Sequence, residues 1–102
     1  MITVIVQFRL ARALTPEQAR EAFSATAPQY RQMPGLVRKC YLLSEDGKSA
    51  GGVYLWQSRA DAERRFDDAW MRSAREKYGA DLSVTYFDTP VIVDNALGQI
   101  IS

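Results

Sequence analysis

Apolar and polar residues alternate along Ile2–Leu10 (ITVIVQFRL) with a period of two, which predicts a β-strand. Ile2, Val4, Val6, Phe8 and Leu10 are uniformly apolar, whereas Thr3, Ile5, Gln7 and Arg9 are mixed. Successive strand side chains point to opposite faces, so the first set is expected under helices and the second on the other face. The period then changes. Ala19, Ala22, Phe23, Thr26, Tyr30 and Met33 recur at helical spacing behind Thr15-Pro16-Glu17-Gln18. Thr15 and Gln18 have the spacing of a reciprocal capping box, and Pro16 suits a first turn. Pro28 interrupts the stripe and must kink or break the helix, because it has no amide and clashes with the preceding turn. Pro34-Gly35 ends the element.

Leu36–Leu43 predicts a second strand, Glu45-Asp46-Gly47-Lys48 a hairpin turn, and Ala50–Gln57 a third strand. Ser58 to Asp61 resembles another capping box and opens a helix expected to run to Tyr78, with Gly79 as its stop. Ala62, Phe66, Ala69, Trp70 and Ala74 form its apolar stripe, and Asp61–Arg65 and Asp68–Arg72 its i,i+4 ion pairs. Leu82–Val93 is the last strand, in which Pro90 demands an edge position or a break. The segment after it carries Leu97, Ile100 and Ile101, too apolar for a free end. The order β-α-β-β-α-β, with right-handed crossovers, predicts one α+β domain over residues 1–102. Its fold is ferredoxin-like, a four-stranded antiparallel sheet with both helices on one face.

The other face has to meet water, a ligand or another chain. The sequence assigns to it Gln7 and Arg9 from strand one, Lys39 and Tyr41 from strand two, and Tyr54 and Trp56 from strand three. A patch that apolar exceeds what a monomer usually exposes. A few cationic and amide heads set in an apolar wall also describe a ligand pocket.

Composition narrows the chemistry. The 102 residues have room for one core. Net charge is +1, with both signs mixed along the chain, so there is no basic stripe for nucleic acid or an anionic membrane. No apolar run reaches the roughly 20 residues of a membrane span. Met1 to Leu10 lacks the pattern of a signal peptide. Cys40 is the single cysteine, which excludes an intrachain disulfide and fits a cytoplasmic location. Histidine is absent, which removes the usual general base, the usual metal and haem ligand and every Ser-His or Cys-His pair. No carboxylate group has metal-ligand spacing, so no metal is expected. Chemistry is left to Lys, Arg, Tyr, Asp, Glu, Trp or the substrate.

Pro34-Gly35-Leu36-Val37-Arg38-Lys39, followed by Gly51-Gly52-Val53-Tyr54-Leu55-Trp56-Gln57-Ser58 and an Ala-rich helix, resembles the YdhR-like monooxygenases. These belong to the dimeric α/β-barrel superfamily that includes the antibiotic-biosynthesis monooxygenases. The likeness runs from the opening strand to Val91-Ile92-Val93-Asp94-Asn95. It implies a homodimer whose sheets form a barrel, and an oxidoreductase that oxygenates a small planar aromatic, such as a phenol, quinol or polyketide, without a cofactor. Haem degradation, which relatives perform with a histidine, is not expected here.

Lys39 matches the lysine of the motif. In an apolar cavity it would act as a base, or as a cation holding a phenolate, if it is not a snorkelling surface residue. Tyr41 is placed beside it as an acid or a packing residue. Tyr54 and Trp56 would stack on a planar substrate, and Gln7 and Arg9 would bind a carboxylate or carbonyl, unless these four serve interface and surface. Gly51-Gly52 indicates a bulge or a close approach rather than a phosphate loop. Cys40, on the opposite face from Lys39, is expected in the core, and Arg64-Arg65 and Asp67-Asp68 on a solvated helix face. Two other functions stay open: a non-oxidative polyketide cyclase or isomerase, and a non-catalytic small-molecule-binding dimer.

Overall fold

The structure is a computed structural model that describes residues 1–79 and 81–102. Strands β1 (Ile2–Arg9), β2 (Leu36–Leu43), β3 (Ser49–Trp56) and β4 (Ser83–Asp88) form one antiparallel sheet in the order β2-β3-β1-β4. Helix α1 (Pro16–Thr26) connects β1 to β2, and α2 (Arg59–Arg65) and α3 (Asp68–Tyr78) connect β3 to β4. This is the ferredoxin-like α+β arrangement that the element order predicts.

Local chemistry sets the helix ends. Thr15 and Gln18 make the expected reciprocal cap. Pro28 ends α1 as expected, and the chain continues as a 3-10 turn over Ala27–Tyr30. The second helical segment differs from the single helix the stripe predicts. It breaks at Phe66, and Asp67 caps a new helix by accepting a 2.8 Å hydrogen bond from the Trp70 amide. Aspartate competes for backbone donors inside a helix and is favoured at its start, so the Asp67-Asp68 pair is the physical reason for the break. The break also rewires the charges. Asp61 pairs with Arg64 at 3.0 Å, and Arg65 turns inward, so neither the Asp61–Arg65 pair nor a solvated Arg65 is found.

The core lies between the sheet and the helices. Ile2, Val4 and Val6 of β1 meet Tyr54 and Trp56 of β3 and Ala62, Phe66 and Ala74 of the helices. Trp56 and Val4 are fully buried. The strand registers fix the faces. Trp56 lies opposite Ile2, Tyr54 opposite Val4, and Lys39 opposite Tyr54. Directly paired residues share a face. Lys39, Tyr41, Tyr54 and Trp56 therefore point toward the helices, which corrects the expectation that they line the uncovered face. A register shift between Leu36 and Arg38 places the bulge in β2 rather than at Gly51-Gly52. At Gly51-Gly52 the close approach is real: a Cβ at Gly51 would collide with the Val6 carbonyl oxygen.

The uncovered face carries Gln7 and Arg9, with Ile5, Val53 and Leu55 half-buried and Phe87 exposed. Cys40 also lies there and is exposed, so it is not the core residue expected; no helix covers its side of the sheet. Pro90 does terminate β4, which is an edge strand. The remaining chain folds back as a two-stranded hairpin, β5 (Ile92–Asp94) with β6 (Gln99–Ile101). Asp94, buried, accepts a 3.0 Å bond from Arg38 of β2 and ties the hairpin to the sheet. No helix among the described residues is long and apolar enough to cross a membrane.

Candidate active site

The helices do not close completely on the sheet. Between them lies a cavity of about 430 Å3, within the ~300–1,000 Å3 range of small-molecule pockets. Val6 and Phe8 of β1, Lys39 and Tyr41 of β2, and Gly52 and Tyr54 of β3 form its floor. Phe23 and Thr26 of α1, Tyr30 of the 3-10 turn, Arg65 of α2 and Trp70 of α3 form its walls.

Lys39 is the centre of this arrangement. Its Nζ stands 3.5 Å from the Tyr30 ring centroid, 4.0 Å from that of Tyr41 and 4.6 Å from that of Tyr54. Three π faces around an ammonium supply cation–π attraction where water is scarce. Gly52 makes room for it, since a Cβ there would lie 3.2 Å from both Lys39 Cε and a Tyr54 ring carbon. Burial holds the Lys39 ammonium below the usual lysine range, with Tyr30 acting in the opposite sense.

Tyr30 has a second cation against it. Arg65 Nη2 donates to its hydroxyl at 3.1 Å. Burial alone would raise the Tyr30 phenol, but the Arg65 hydrogen bond and the Lys39 charge outweigh it and hold the group below its ordinary value. Tyr41 and Tyr54 shift the other way, both raised chiefly by burial. The Tyr41 hydroxyl also shares a 2.7 Å hydrogen bond with Thr26, and its ring stacks on Phe23 at 4.9 Å. Tyr41 therefore stays protonated and held in place.

The six residues singled out in the sequence divide. Lys39, Tyr41 and Tyr54 come together in the cavity. Trp56 lies beneath it in the core, stacked against Tyr54 at 6.1 Å and fully buried. Gln7 and Arg9 stand on the opposite sheet face, because their strand positions are odd while the cavity side of β1 is even. Sequence reasoning missed Tyr30 and Arg65. The signal for Arg65 was present: Ala62, Arg65 and Phe66 follow i, i+3, i+4 spacing, which sets the arginine on the apolar stripe. Among the described residues no three metal-ligating side chains come together.

The family model "Putative mono-oxygenase ydhR" matches residues 4–90. No curated protein matches the chain. Among solved structures, the chain is similar to a monooxygenase from the gene ActVA-Orf6 of Streptomyces coelicolor in complex with nanaomycin D. That match has 17% identity and a TM-score of 0.63, covering 92% of each chain. It is also similar to SnoaB, a cofactor-independent oxygenase from Streptomyces nogalater, at 20% identity and a TM-score of 0.61 over 86% of this chain and 91% of that one. Rv0793 from Mycobacterium tuberculosis matches at 20% identity and a TM-score of 0.58, over 93% of this chain and 97% of that one. At these identities the likeness establishes the shared fold.

Proposed function

Because the chain belongs to the ydhR mono-oxygenase family, we propose that its cavity oxygenates a small planar phenol, quinol or polyketide-like aromatic without an added cofactor. The observation that carries this reading is the Lys39 amine held in a cage of three tyrosine rings. SnoaB, a cofactor-independent oxygenase, and the nanaomycin D complex share the fold and support it.

The aromatic walls bind the substrate ring, with Trp70 and Tyr30 on the helical side and Tyr54 on the sheet. The substrate hydroxyl points to Lys39. Lys39 carries its charge among the tyrosine rings and holds the phenolate that forms as the hydroxyl proton leaves to solvent; the result is an ammonium–phenolate pair within the cavity. The phenolate passes an electron to oxygen, a carbon–oxygen bond forms at an unsubstituted ring position, and loss of water leaves the quinone. One phenol and one O2 give one quinone and one water. The ring supplies all four electrons, so no external reductant is consumed. Tyr41, kept protonated by burial, positions the cage rather than accepting the proton.

We also infer that the active species is a homodimer. Ile5, Val53, Leu55 and the exposed Phe87 make the uncovered sheet face apolar, and the adjacent hairpin exposes Val93 and Ile100. Burying such a patch is worth about 25 cal/mol per Å2.

The test is oxygen uptake by metal-stripped protein supplied with naphthols and anthrones, with the quinone measured alongside. Uptake matched by quinone at one to one is expected, and Lys39→Ala should reduce it to background. Uptake no greater than that of the variant would refute the proposal, and product formed under nitrogen would assign the cavity to cyclisation or isomerisation.

A further inference from the structure

The charges around the cavity do not balance. Lys39, Arg65 and Lys77 are among its lining residues, and no aspartate or glutamate is. The ion pairs among the described residues join Arg38 to Asp94, Arg59 to Glu63 and Arg64 to Asp61. None of them engages a cation of the cavity. No carboxylate meets either cation: three tyrosine rings surround the Lys39 ammonium, and the polar partner of Arg65 is the hydroxyl of Tyr30. Arg65 Nε is buried with no hydrogen-bond partner among the described residues.

Partly buried cations are normally matched by a carboxylate, because the cost of removing them from water is otherwise uncompensated. Rings alone are a partial substitute. Lys39 and Arg65 also repel each other, and Arg65 adds to the lowering of the Lys39 ammonium that burial causes. Both cations flank one ring: Lys39 Nζ lies 3.5 Å and Arg65 Cζ 5.3 Å from the Tyr30 centroid. A ligand lying against Tyr30 therefore meets two positive groups at once, and a guanidinium is suited to a planar carboxylate.

We propose that the cavity takes aromatic acids: planar rings bearing a carboxylate that answers Arg65, with a neighbouring ring hydroxyl directed at Lys39. This deepens the oxygenase reading by naming its substrate class and rests on it only for the fate of the hydroxyl. Binding itself does not require turnover. The ring lies in the cavity that Tyr30, Tyr54 and Trp70 line. The carboxylate supplies the negative charge that the chain withholds.

The experiment is calorimetric titration of the wild-type protein under nitrogen with three probes of one ring size: 1-hydroxy-2-naphthoate, 1-naphthol and 1-naphthylmethylammonium. The acid is expected to bind on the order of tenfold or more tighter than the neutral naphthol, as a charge-assisted hydrogen bond implies. The ammonium probe should bind weakest. Arg65→Met is expected to erase most of the preference for the acid by costing it far more affinity than the naphthol loses, and added salt should weaken chiefly the acid. Equal affinity for acid and naphthol in the wild-type protein overturns the proposal, whatever the variant does; so does a preference that survives both Arg65→Met and Lys39→Met. Oxygen uptake with neutral naphthols but no preference for the acid keeps the oxygenase reading and sinks this one. Tight binding of the acid without oxygen uptake does the reverse.

Discussion

Gly51 and Gly52 are adjacent, yet adding one methyl group to each is expected to damage the protein in different ways. At Gly51 the new Cβ would overlap the Val6 carbonyl oxygen, which belongs to the backbone of the neighbouring strand. No side-chain rotation relieves that collision, so β1 and β3 must part. Overpacking of this kind costs about 1–3 kcal/mol, and the stiffer unfolded chain of an alanine returns about 0.4–1 kcal/mol. A backbone overlap this deep puts the cost in the upper part of that range, about 2–3 kcal/mol, so a net loss of about 1–2.6 kcal/mol remains, and for a domain of this size each kcal/mol moves Tm by about 4–8 °C. At Gly52 the nearest atoms are Lys39 Cε and a Tyr54 ring carbon, both at 3.2 Å. The first is the far end of a flexible side chain and can withdraw. The cost of displacement is then offset by the same gain in the unfolded state, leaving stability within about 0.5 kcal/mol.

Urea denaturation read by tryptophan fluorescence separates the two, since Trp56 is wholly buried and Trp70 lines the cavity. Gly51→Ala should lower the midpoint with an unchanged slope. Gly52→Ala should keep the midpoint and lose affinity for hydroxynaphthoate, because the ammonium has been pushed out of its cage. A Gly51→Ala protein as stable as wild type, or equal losses of stability in both variants, would refute the reasoning.

Two further outcomes concern the other face of the sheet. Light scattering should give a dimer for the wild-type chain and a monomer for Phe87→Glu, since a carboxylate at this half-exposed apolar position opposes burial; a wild-type monomer refutes the inferred assembly. Acid should detach the hairpin before the main sheet melts. The Leu97 amide and then Arg38 hold the Asp94 carboxyl below its usual value. A depressed carboxylate stabilises the fold above its ordinary pKa of about 4, and that contribution is lost as pH falls through the folded-state value. Amide resonances of Ile92–Ile101 should therefore disperse less at low pH while those of β1 persist, and Asp94→Asn should show the loosening at neutral pH. Simultaneous loss of both sets would show that the ion pair does not hold the hairpin.

Much of this fold was legible because its local signals agree with its packing. The alternation in β1, the Thr15 capping box, the helix break at Pro28 and the Asp-Gly turn each have a short-range cause. The facing of β2 and β3 was not legible, and the site depended on it. Val53 and Leu55 are as apolar as Tyr54 and Trp56, so alternation alone gives no preferred face. The pairing of Val4 with Tyr54 decides it, and that is a long-range fact. A lysine among tyrosines looks like a solvent-facing set when read singly. Under the helices, Lys39, Tyr41 and Tyr54 make a cage that Tyr30 completes. Arg65 was hidden for a different reason: its charge reads as solvent-facing, although its spacing from Ala62 and Phe66 sets it on the apolar side of α2, where it reaches Tyr30.

Moving Lys39 to the helix side also separates two properties that the sequence reading joined. A pocket between two sheet faces would exist only in the dimer, and any substitution that broke the dimer would abolish binding. The cavity described here is walled by one chain's own strands and helices. Its polar residues, Lys39, Tyr30 and Arg65, belong to the same layer as the core, and a second copy seated on Phe87 and Leu55 would meet the other side of the sheet. Assembly can then act on the cavity only through the strands they share. β3 is the strand that matters, because Val53 and Leu55 face the proposed partner while Gly52 and Tyr54 face Lys39. It follows that a monomeric Phe87→Glu protein should still bind hydroxynaphthoate with affinity close to that of wild type. Loss of binding in a folded monomer would mean that β3 holds its register, and the cage its geometry, only when both faces are covered.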